Sequence, residues 1–208
     1  MPPYFSVYYS FPYTSVSDQF VSEVYSVFLN YFPYKSGYWQ AEKNSLEEII
    51  SWNSELLTRK FELGFDQHVM HDYKQLLLES EKHEHLRLFW NYQNNEVTLH
   101  MITPEHEVLL DDKSWRFNGE RIYNLINLSV KLWENQKLNV VQTYHELDAP
   151  ESLSKVCKGV QPRTNPFCIV DEQTFLKLEK QLETKYYIKH IKNGVMIVER
   201  DYASLVRG

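Results

Sequence analysis

From Leu86 to Met101 the large apolar residues fall on alternate positions: Leu86, Leu88, Trp90 and Tyr92, then, beyond Gln93-Asn94-Asn95-Glu96, Val97, Leu99 and Met101. A period of two marks a strand with one buried face, and two such runs around an Asn-rich turn predict a β-hairpin. The chain before and after this hairpin keeps a different period. Phe20, Val24, Phe28 and Tyr31 make a helical stripe across residues 17–32, with Ser15, Ser17 and Asp18 as capping candidates and Pro33 and Gly37 beyond its end. Ser45-Leu46-Glu47-Glu48 is a capping box, in which the serine oxygen accepts an orphan N–H and the glutamate reaches back. It opens a helix whose apolar face runs from Leu46 to Phe61 and which Gly64 can stop. Residues 119–136 predict a helix that is apolar on more than one side.

Strands are expected at 4–12, 107–110, 140–147 and 167–170, and a further helix around Tyr73–Glu81. Asp171 can cap a helix carrying Phe175, Leu178 and Leu182. Asn193-Gly194, between Tyr186–Lys192 and Val195–Glu199, predicts a second hairpin with a type I′ turn. The expectation is one α+β domain over residues 1–208, a mixed or antiparallel sheet with two hairpins packed against several helices.

A chain of 208 residues can bury a large core without a metal or disulfide. With 15 Tyr, 11 Phe and 5 Trp, that core should be aromatic in character. Cys157 and Cys168 match no common zinc or redox spacing and suit a reducing compartment. The lysines around Cys157 could favour a thiolate, but a buried or half-buried thiol is expected there, and a core thiol at Cys168. No secretory pattern or membrane-length apolar run is found, so the expected location is cytoplasmic. Acidic residues number 21 against 12 Lys and Arg in residues 1–150, which argues against nucleic-acid binding and suits a basic protein partner. Lys185–Lys192, the one basic and aromatic stretch, reads as an amphipathic edge strand.

The sequence holds no nucleophile elbow, phosphate loop or H-E-x-x-H, so no catalytic residue and no cofactor are expected. His68, His71, His83 and His85, with carboxylates nearby, are the ligands a divalent-metal hydrolase would use; surface histidines are the plainer expectation. His100 is expected at the surface or in a second packing layer. Glu105, Glu107, Asp111 and Asp112 flank the expected strand Val108–Leu110 and read as a solvated acidic loop. Trp39 and Trp115 fall outside the helix and strand periods. These six residues are the candidate partner-binding set, since Trp and Tyr combine an apolar body with a polar tip.

The last fifty residues combine a Pro-containing loop at 159–166, the apolar run Phe167-Cys168-Ile169-Val170, a helix and a closing hairpin with Asn193-Gly194-Val195-Met196-Ile197-Val198. In this the chain resembles some bacterial polymorphic-toxin immunity proteins over about a quarter of its length. The resemblance implies a small cytoplasmic α+β protein that binds and neutralises a basic toxin domain; it carries over no individual residue. A structural or scaffolding subunit is the third functional class kept open.

Overall fold

The computed structural model describes residues 3–62, 71–111 and 115–207. Nine antiparallel strands form one sheet in the order β2-β3-β4-β5-β1-β6-β7-β9-β8. They span β1 Tyr4–Pro12, β2 Tyr34–Tyr38, β3 Gln75–Leu78, β4 Leu86–Gln93, β5 Glu96–Pro104, β6 Val140–His145, β7 Phe167–Val170, β8 Tyr186–Ile191 and β9 Gly194–Glu199. The helices are α1 Phe20–Leu29, α2 Leu46–Thr58, α3 Gly119–Asn135, α4 Leu153–Val156 and α5 Glu172–Leu178. The α+β expectation holds.

Alternation along the strands divides the molecule into layers. Phe5, Val7, Tyr9 and Phe11 of β1 face α1, α2 and α3 in one large core with Phe20, Phe28, Trp90 and Leu125. The largest fully buried side chains are mostly aromatic, and Phe11 and Phe20 meet edge to face at 5.3 Å. On the opposite face a smaller core joins Tyr8, Val140, Tyr144, Cys168 and Ile197 to Val156 of α4 and Phe175 of α5. That second cluster draws on β1 and β6–β9 and includes no residue of β2–β5. There the same face carries half-buried Leu77, Phe89, His100 and Ile102. His100 stacks on Phe89 at 4.6 Å and meets Tyr8 edge-on at 5.1 Å, a second packing layer. Arg87 lies between the rings of Tyr38 and Tyr4, at 4.4 and 4.7 Å.

Local signals hold at Ser45 and in the first hairpin, and differ at the start of α1 and in the second hairpin. The capping box at Ser45 is fully formed. The helix it opens ends before Gly64, which lies outside the described residues. Lys60 takes the left-handed conformation (φ 55°), and the N–H of Phe61 returns to the Leu56 carbonyl, a Schellman closure built on a lysine. Helix α1 starts at Phe20 without a side-chain cap. Asn94 and Asn95 both have positive φ between the paired Gln93 and Glu96, so the type I′ geometry sits in the first hairpin. In the second hairpin Ile191 pairs with Gly194, and Asn193 alone of the Asn-Gly dipeptide has positive φ. Gly194 is instead required by packing: a Cβ there would lie 2.6 Å from Trp133 Nε1.

Three further expectations fail. The segment around Tyr73–Glu81 is not a helix. It carries β3, which buries Leu76 and Leu78 and pairs with β4 and with β2. Three consecutive leucines suit a helix as well as a strand; the sheet decides. Nor is 107–110 a strand. Glu105–Glu107 form a 3-10 turn, followed by a single bridge between Leu109 and Phe117. Cys157 is exposed, against expectation, because it sits at the C-cap of α4; Cys168 is buried, and both are free.

Candidate functional site

Strand β5 ends at Pro104, and the 3-10 turn that follows is drawn inward by Val108 and Leu109, both in the main core. The Glu105 N–H donates to the Pro3 carbonyl, and Glu105's own carbonyl accepts from Val108 and Leu109. The side chains of Glu105 and Glu107 are therefore carried under the turn and are 5% and 6% exposed. This corrects the reading of a solvated acidic loop, and it removes both glutamates from a surface that a partner could touch.

Burying a carboxylate costs several kcal/mol unless opposite charge and hydrogen bonds replace water. Glu105 Oε1 lies 2.9 Å from Nδ1 of buried His145, though off the line of an N–H, and accepts the Glu146 N–H at 3.3 Å. Glu107 Oε2 accepts the Thr103 hydroxyl at 2.7 Å and the His85 N–H at 3.5 Å. The imidazoles of His85 and His83 approach Glu107 at 3.6 and 4.0 Å. For His83, burial outweighs the carboxylate and pushes the imidazole down to about 4, so it is uncharged at neutral pH and its contact with Glu107 is no ion pair.

Above this base the chain turns outward. Leu110 donates its N–H to the Arg116 carbonyl, and the Phe117 N–H donates to the Tyr202 hydroxyl at 2.7 Å. Phe117 stacks on His145, while Trp115 meets the same imidazole edge-on at 5.1 Å. Trp115 is nonetheless 67% exposed, Leu110 58% and Leu147, two residues past His145, 94%. Asp111 lies on the same exposed loop, and Asp112 lies outside the described residues. One corner thus unites Glu105, Glu107, Trp115 and Asp111 of the expected set and adds Leu110, Leu147, His83, His85 and His145. The adjacent His83 and His85 were visible in the sequence; His145 was not, because its link to Glu105 spans forty residues.

Trp39 stands apart. It begins a 3-10 turn after β2 with φ 55°, an uncommon value for a bulky residue. It borders a cavity of about 480 Å³ together with Tyr38, Trp52, Asp72 and Lys74. Trp52 donates its indole N–H to the Asp72 carbonyl, and Lys74 Nζ lies 4.5 Å from the Trp52 ring. Burial raises the Asp72 carboxyl, against the Tyr73 N–H that lowers it.

Among the described residues, Glu84, His85 and Glu107 can bring three ligand atoms together; His71 is exposed, and His68 lies outside them. No described helix is long and apolar enough to cross a membrane. No family model and no curated protein matches this chain. A solved structure described as Pseudomonas aeruginosa T6SS protein PA0821 is similar over 95% of this chain and 68% of its own, at 9% identity and a TM-score of 0.44, too loose a likeness to transfer a function.

Proposed function

We propose that this protein is a non-enzymatic binding domain whose partner docks on the Trp115 corner, and that the partner is a basic toxin domain neutralised in the manner of an immunity protein. The observation that carries the reading is the exposure of Trp115 over the buried His145 ring, with Leu110 exposed on the same loop and Leu147 on the turn that follows His145. A large apolar group seated on a buried ring, as Trp115 is on His145, is what a binding surface needs, because less ordering entropy remains to be lost on association. The partner's sign follows from charge: 21 acidic against 12 basic residues in positions 1–150, with exposed Glu84, Glu120 and Glu146 on or beside this corner. No described residue at the corner forms a nucleophile and base pair, so binding accounts for the arrangement more simply than acyl transfer does.

The test is co-expression with a panel of basic bacterial toxin domains, including any encoded beside its gene, scored for protection and for a complex in solution. Trp115→Ala combined with Leu147→Ser should weaken that complex by at least about 30-fold, a cost of roughly 2 kcal/mol typical of a central anchor. Protection that survives both substitutions would move the interface elsewhere. A stable homodimer dissolved by Trp115→Ala would assign the corner to a second copy of this chain and overturn the reading.

A further inference from the structure

Glu84 and His85 lie side by side on the turn that leads into β4, and the 3-10 turn after β5 delivers Glu107 to them. One ligand atom from each lies within 4.8 Å of the other two. His85 Nδ1 stands 3.6 Å from Glu107 Oε1, well beyond the ~2.7–2.9 Å of a charge-assisted hydrogen bond. Two ligands of one tetrahedral zinc ion, each about 2.0–2.2 Å from the metal, are separated by roughly 3.3–3.6 Å. The gap suits a shared cation better than a direct pair.

His83 is an independent pointer. It is 1% exposed, and among the described residues neither ring nitrogen has a well-aligned hydrogen bond, the Arg121 main chain being within reach of one of them. Its Nδ1 faces Glu107 Oε2 at 4.0 Å, and the Arg121 main chain is its other polar neighbour. Buried imidazoles are ordinarily satisfied; this one is held against the candidate ligand set with Nδ1 toward Glu107 and at best a poorly aligned bond to the Arg121 main chain. Glu107 is also fixed as a metal ligand would be. Thr103 and the His85 N–H occupy Oε2, which leaves Oε1 toward His85 and orients the carboxylate from behind.

We propose that Glu84, His85 and Glu107 bind a divalent cation, Zn²⁺ in the first place, with His83 positioned beside Glu107 as a further donor. Mixed imidazole and carboxylate ligands select borderline ions of this kind over Ca²⁺ or Mg²⁺. The ion's charge would offset that of a carboxylate the fold otherwise buries. Three ligands leave a coordination position for water or for a group brought by another molecule. The inference is independent of what docks at Trp115.

The experiment uses the full chain without a histidine tag, treated with chelator and titrated with Zn²⁺ by calorimetry and with Co²⁺ by visible absorption. One equivalent should bind, with the ligand-field bands of low-coordinate cobalt. His85→Ala and Glu84→Gln, both at exposed positions, should each weaken binding by at least about tenfold, and Glu107→Gln should do the same if it folds by circular dichroism. His106→Ala and the double substitution His68→Ala, His71→Ala should leave binding unchanged. Absence of stoichiometric binding, or binding that survives His85→Ala and Glu84→Gln, or binding lost with His68 and His71, overturns the proposal.

Discussion

Trp115 and Trp39 are both bulky residues in water, yet the structure holds them by different means. Trp115 rests on His145, which is paired with a buried glutamate and stacked on Phe117, so its position is fixed by the main core. Trp39 is held by its own backbone, twisted to positive φ where β2 leaves the sheet, and it borders a cavity instead of covering one. Rigid support from beneath is what a docking anchor requires. Local strain beside a cavity is a feature that a change of conformation could release. The difference separates a corner that resists change from an edge that tolerates it.

The largest effect should come from attacking the support of the corner. Glu105→Ala leaves the Glu146 N–H without its acceptor and opens a void beside the buried His145 ring, and an unsatisfied donor together with a cavity costs about 3 kcal/mol. Urea unfolding should show a loss of that order. A cost below about 1 kcal/mol would mean that the carboxylate's desolvation already cancels its pairing, and the corner would then be no firmer than the edge.

Acid should act next, through a residue under neither tryptophan. Burial pushes His100 from 6.5 down to about 4. Its neighbours are the rings of Phe89 and Tyr8 and the Thr98 hydroxyl, with Glu96, bonded to Tyr8, the nearest carboxylate in that network. The unfolded chain takes up the proton first, so this contribution is complete above about pH 6.5 and is lost as pH falls from 6.5 to 4. The loss from His100 should be on the order of 2–3 kcal/mol, read as the pH dependence of unfolding, and His100→Gln should remove that part and leave the part due to His83, whose imidazole is also held down to about 4. An unchanged acid profile in that variant would place the sensitivity at buried His83 alone.

Much of this architecture is legible in the sequence, and what is not has one cause. The Ser45 capping box and the Leu86–Met101 hairpin are written within a few residues, and there reading and structure agree. Strand β3 is decided by partners on both sides, one of them β2, which is itself invisible because Lys35, Ser36 and Gly37 carry no alternation. Gly37 serves a close approach, since a Cβ there would collide with the Ala41 carbonyl. The candidate site fails to show for the same reason. Glu105 and Glu107 look solvated because acidic residues usually are, while the partners of Glu105, Pro3 and His145, lie about a hundred and forty residues apart, and Glu107 meets Thr103 and His85 only once β4 and β5 are paired. The one available signal was the pair Val108-Leu109, which had to be buried and took the preceding turn with it.

Relief of strain at the edge should be smaller than either effect at the core. Trp39→Gly removes a left-handed cost of roughly 1–2 kcal/mol and loses some packing at the cavity, so a net gain of about 1 kcal/mol is expected in thermal unfolding. Trp39→Ala keeps the strain and should gain nothing. If both variants lose stability equally, the indole is structural and the edge resembles the corner after all.

The smallest change in stability should follow Trp115→Ala, and it is the one that divides structure from function. With two thirds of the residue in water, truncation removes little buried area, and the edge contact with His145 is worth about 0.5–1 kcal/mol at most. Unfolding should therefore move by less than about 1 kcal/mol, while the docking of a basic partner falls by an order of magnitude or more. The opposite pattern, a large loss of stability with binding intact, would make Trp115 a lid on the buried His145–Glu105 pair. Exposure would then reflect the price of closing the core at this corner, and the strained edge at Trp39 would become the better place to look for a partner.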